Sequence, residues 1–141
     1  MRPVIAVLLL AAACSTPPKK PAPPAEIPIE GPQTFAGTWL TNDDLDWLYR
    51  LIVVPDGRFA LVVERGKMGS CEQQGNLVQG KSPETFLLTL TKDTCSKTGP
   101  TGGALTVSVP SYTGGALTLA YLVGDDMVKR TYTRDPRSAK Q

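Results

Sequence analysis

Trp47-Leu48-Tyr49-Arg50-Leu51-Ile52-Val53-Val54, then Pro55-Asp56-Gly57, then Arg58-Phe59-Ala60-Leu61-Val62-Val63-Glu64: this stretch decides the fold. The first run is rich in aromatic and β-branched residues, the composition of a strand. Proline presets φ, Asp56 supports a turn, and Gly57 accepts a positive φ, so the chain reverses there. The second run returns as a strand, and period two puts Phe59, Leu61 and Val63 on one face. Residues 47–64 therefore predict a hairpin with one buried face.

The same rhythm extends in both directions. Upstream, Gly37-Thr38-Trp39-Leu40-Thr41 reads as a short first strand. Between it and the hairpin, Asn42 to Trp47 has room for one helical turn capped by Asn42 or Asp43. Downstream, Cys71 to Val78 reads as a strand with a bend or bulge at Gly75-Asn76. Thr85 to Thr91 follows, with Phe86, Leu88 and Leu90 on one face. Thr101-Gly102-Gly103-Ala104-Leu105-Thr106-Val107 recurs as Thr113-Gly114-Gly115-Ala116-Leu117-Thr118-Leu119. A repeat of about a dozen residues with Gly-Gly at each entry is the spacing of successive antiparallel strands. The last strand is Met127 to Thr133, after a turn at Gly124-Asp125-Asp126. No segment carries a sustained helical period. Seven or eight short strands in one small chain must close on themselves, because open edges recruit other chains. The expected class is all-β: a small antiparallel up-and-down barrel, with a β-sandwich as the second choice.

The 141 residues do not all belong to that domain. Residues 1–13 carry one positive charge, then a short apolar run ending in Ala11-Ala12-Ala13, the layout of a signal peptide. The run is shorter than the ~20 residues of a spanning helix. Residues 14–34 hold prolines at 17, 18, 21, 23, 24, 28 and 32. Each fixes φ and removes an amide donor, so an extended linker reaching on the order of 60 Å is expected. The β domain is expected over 35–136, with 137–141 a disordered tail. Net charge is +2. That leaves no electrostatic footprint for nucleic acid. Lys129, Arg130, Arg134, Arg137 and Lys140 read as a solvated edge strand and tail. The chain has no histidine. His-based general bases, Ser-His-Asp triads and His metal ligands are thereby excluded.

Ala12-Ala13-Cys14 resembles the lipobox of bacterial lipoproteins, in which the cysteine receives lipid and becomes the new N-terminus. Ala11 departs from the leucine usual in that family. The resemblance implies membrane attachment through acyl chains on Cys14. Ser15, in place of aspartate, implies the outer membrane, with the domain facing the periplasm. Lipid on Cys14 leaves Cys71 and Cys95 as an even pair in an oxidising compartment, where a disulfide is expected.

Phe35-Ala36-Gly37-Thr38-Trp39 resembles the G-x-W signature at the first strand of lipocalins and related small barrels. There the tryptophan closes the barrel base and a basic residue near the last strand stacks on it. The resemblance implies that Trp39 pairs with Arg134, or with Arg130, across the barrel end. It also implies an interior binding site, whose candidate lining is Phe59, Leu61, Val63, Phe86, Leu88 and Leu90.

Other candidates point to structure. Asn42-Asp43-Asp44-Leu45-Asp46 is the one dense acidic cluster, but it lacks EF-hand spacing and reads as a capped, solvated turn. Glu64, Arg65 and Lys67 read as a charged rim. Tyr112, expected in a hairpin loop, and Trp47 are candidate contact aromatics. No catalytic residue, cofactor or metal site is predicted. The expected role is binding, of either a small apolar ligand or an envelope protein. The alternative is a structural, pilot-type or inhibitor lipoprotein acting on an envelope complex.

Overall fold

The computed structural model describes residues 21–96, 104–123 and 125–138. Eight strands form: β1 Gly37–Asn42, β2 Leu48–Val53, β3 Arg58–Glu64, β4 Ser70–Gln79, β5 Thr85–Asp93, β6 Leu105–Tyr112, β7 Ala116–Val123 and β8 Asp126–Arg134. Each pairs antiparallel with the next. β8 returns to β1 through Trp39↔Arg134 and Leu40↔Thr133, closing the barrel. The up-and-down barrel is thus the observed fold, and the sandwich is not.

The decisive hairpin is β2–β3, in register from Leu48↔Glu64 to Val53↔Phe59. Gly57 takes φ 96° in its turn. Tyr49, Leu51 and Val53 face inward from β2, as do Phe59, Leu61 and Val63 from β3.

Two irregularities bend the sheet. Between β4 and β5 the pairing jumps from Gln74↔Lys92 to Gly75↔Leu90, leaving Thr91 as the extra residue of a bulge. A Cβ on Gly75 would collide with the Thr89 carbonyl oxygen, so glycine permits this close approach. Between β6 and β7 the shift falls between Ser108 and Ser111. Pro110 sits in that shift, where its missing N–H breaks no ladder bond.

Three expectations change. Asn42 to Trp47 makes no helical turn. Asp43 Oδ1 accepts from the Leu45 and Trp47 amides at 2.9 and 3.0 Å, and Asp46 turns the chain at φ 58°. A short carboxylate bonding its own downstream backbone favours such a turn over a helix. Trp47 consequently belongs to this loop, and β2 begins at Leu48. The linker also ends early. Ile27 donates its amide to the Tyr112 carbonyl at 2.7 Å, and Ile29 packs on the core. Pro32–Phe35 then forms a 3₁₀ turn. Proline is tolerated there because the first N–H of a helix has no internal partner anyway. Finally, β8 is no solvated edge, since it is paired on both sides.

Candidate functional site

The barrel has a closed end and an open end. At the closed end the 3₁₀ turn inserts Phe35, buried beside Trp39, Phe86, Tyr112 and Leu117. Phe35 meets the Phe86 ring edge-on at 5.4 Å, and Trp39 meets Tyr112 at 5.9 Å. Trp39 Nε1–H donates to the Phe35 carbonyl at 2.9 Å, which satisfies its one buried polar atom. The Arg134 guanidinium lies 4.3 Å over the Trp39 ring. It donates to Gly114 O at 2.9 Å, Ala36 O at 3.4 Å and the Tyr112 hydroxyl at 3.3 Å. Gly37, at φ 142°, leaves the space: a Cβ there would lie 2.5 Å from an Arg134 nitrogen. Of the two arginines named from sequence, Arg134 is the one stacked on Trp39. Tyr112 is buried in this floor, not displayed in a loop, because the β6 bulge rotates it inward.

Above the floor the barrel is hollow. A cavity of about 480 Å³ runs from Phe35 and Phe86 up to Trp47, Arg65, Leu105 and Val123 at the open end. Phe59, Leu61, Val63, Phe86, Leu88 and Leu90 all line it, together with Leu51, Leu77, Val107, Val109 and Leu119. Strand alternation explains this: inward positions are mostly apolar, yet the side chains do not meet across the axis. An engineered apolar cavity of about 150 Å³ already binds benzene-sized guests. The Cys71–Cys95 disulfide forms part of the wall.

The polar part of the lining is small and one-signed. Among the described residues it comprises Arg65, Gln73 and Arg130, with the tyrosines 49, 121 and 132, and no aspartate or glutamate. Arg65 sits 5.9 Å from the Trp47 ring centre and reaches back to the Gly69 carbonyl at 3.4 Å. Arg130 projects from the middle of β8, its guanidinium 3.8 Å over the Tyr49 ring. Such stacking contributes about 0.5–2 kcal/mol, and the Arg130 side chain is partly buried. Asp43 is a carboxylate that feels the Arg130 charge. It is engaged elsewhere, accepting the Tyr49 hydroxyl at 2.8 Å besides the two amides. These bonds hold its pKa below the usual value, against the opposing effect of desolvation. Among the described residues, Arg130 makes no ion pair. Burial, reinforced by Tyr121, pushes the Tyr132 hydroxyl up to about 12, so it is neutral at ordinary pH.

The sequence groups Arg130 with Lys129, Arg134, Arg137 and Lys140 as solvated, whereas the structure puts Arg130 in the cavity wall. Lys129 is exposed, Arg137 pairs with Asp135 at 3.2 Å, and Lys140 lies outside the described residues. The available signal was alternation: if Val128 and Tyr132 face inward, so does Arg130 between them. Cys14 also lies outside the described residues. No group of three or more metal-ligating side chains converges among the described residues, and Asp44 and Asp46 are exposed. Comparison with protein-family models, curated proteins and solved structures finds no match for this chain.

Proposed function

We propose that this protein is a lipid-anchored envelope protein whose lipocalin-like barrel binds a small apolar molecule in its interior. The observation that carries the reading is the 480 Å³ apolar cavity above a sealed floor. Hydrophobic side chains facing empty space forfeit the contacts that a packed core would supply. A guest restores them. The volume falls within the range of small-molecule sites, which are mostly apolar with a few placed polar groups.

Titration with N-phenyl-1-naphthylamine, a neutral apolar fluorophore, tests this. Saturable fluorescence enhancement is expected, and Leu119→Trp, which narrows the cavity, should weaken it severalfold while leaving the circular dichroism spectrum unchanged. Enhancement that never saturates, or that the narrowed cavity leaves untouched, would overturn the reading.

One observation favours the alternative of docking to an envelope protein. Leu45, Met68, Leu122, Val123 and Met127 are exposed, and all lie on loops or strand ends around the open end. Exposed apolar surface of this kind marks interaction sites. Crosslinking in intact cells through Met127→Cys, with recovery of one defined adduct, is the outcome this second reading requires.

A further inference from the structure

Arg130 has a strong charge, a place in the wall of an apolar cavity, and no ion pair among the described residues. It lies between Val128 and Tyr132 on the inward face of β8, with Tyr49, Tyr121 and Tyr132 around it. Among the described residues, the lining holds two arginines and no acid. Arg65 is spent on Trp47 and the Gly69 carbonyl at the rim. Arg130 has its ring stack on Tyr49 and its contact with the Tyr132 hydroxyl, a neutral partner. A guanidinium remains charged at any physiological pH and presents a planar fork of donors that suits two anionic oxygens at once. Asp43 cannot swing in as a counter-ion without giving up two amide bonds and the Tyr49 hydroxyl.

The geometry points to a guest that is a single-chain amphiphile with an anionic head, carboxylate or phosphate, held by Arg130. This rests on the cavity reading above. The chain of the guest lies along Leu51, Leu61, Leu88 and Leu119 toward the Phe35–Phe86 floor, and the head takes donors from Arg130. The tyrosine hydroxyls flank the head and can donate to it. A head that accepts charge-assisted bonds in so apolar a setting binds more tightly than a neutral head of equal length.

Isothermal calorimetry on the full chain carrying Cys14→Ser, so that no acyl group of its own competes, tests the inference. The probes are decanoate, decyl phosphate, decanol and decylamine. Decanoate or decyl phosphate should bind about ten- to a hundredfold more tightly than decanol. Decylamine should bind weakest, and whichever anion is tighter names the head. Arg130→Met should erase the anion preference while decanol binding persists, and Arg65→Met should keep the preference. Equal binding of acid and alcohol by the unsubstituted chain overturns the inference, and that comparison needs no variant to fold. So does a preference that survives Arg130→Met. Decanol binding without preference sinks the anionic head alone; no binding by any probe sinks the cavity reading with it.

Discussion

Gly37 and Arg134 lie far apart in sequence and occupy one volume. The guanidinium fills the space where any other residue 37 would carry its Cβ, and from there it covers Trp39 and ties three backbone or hydroxyl acceptors together. Arg134→Ala removes the stack and the charge-assisted bonds, so stability should fall by about 2–3 kcal/mol. Urea unfolding, read by tryptophan fluorescence, measures this; a loss within error would show that the floor is held by its rings alone. Tyr132 supports a second prediction. Its pKa is raised from 10.0 to about 12 in the fold. The unfolded chain therefore ionises it first as pH rises. Its contribution is complete below pH 10 and is lost between there and about 12, on the order of 2 kcal/mol. Tyr132→Phe should make the alkaline loss of stability smaller, and an unchanged loss would place its origin elsewhere, Tyr49 being the next candidate. At this scale the sequence revealed Trp39 and its arginine partner through a short motif. It concealed Arg130, because a charge beside Lys129 reads as surface unless the alternation of the whole strand is counted.

β5 is the element with the least support. It runs nine residues, but only Thr85 to Leu88 pair with β6. Among the described residues, its outer half, toward the open end, pairs with β4. The Cys71–Cys95 disulfide sits at that point, at the start of β4 and just beyond the end of β5. The Thr94 backbone and hydroxyl bonds to Glu72 continue the ladder beside it. A loop of this length, separation 24, contributes about 3 kcal/mol through the unfolded state. Cys71→Ala with Cys95→Ala should lower stability by about that amount. Amide exchange should accelerate most in residues 89–95, next to the bridge, and least in β2 and β3. Uniform acceleration would mean that the bridge acts on the unfolded chain only. Strand order, the tight turn at Gly57 and the Gly75 bulge were legible, because alternation and turn chemistry are local. The Asp43 turn and the Pro32–Phe35 cap were not. One depends on which of several acidic side chains finds the backbone. The other depends on a barrel end that exists only once β1, β6 and β8 have come together.

For the whole molecule, closure sets a direction. The chain enters the barrel at the closed end, where Ile27 bonds to Tyr112, and the cavity rises toward the opposite end. Barrel and tether are therefore separable: every contact that seals the floor begins at Ile27, while the proposed anchor is Cys14. The sequence between them is rich in proline. Cys14→Ala should move the protein from the membrane fraction to the soluble fraction of the envelope. Its thermal midpoint should stay that of the unlipidated wild-type chain, because no described contact involves the anchor. Mass spectrometry of the wild type should show acyl chains on an N-terminal Cys14. A variant that stays with membranes would shift attachment to the apolar ring at the open end, where Met127→Asp, a charge set among the exposed Leu122 and Val123 side chains, should then release it.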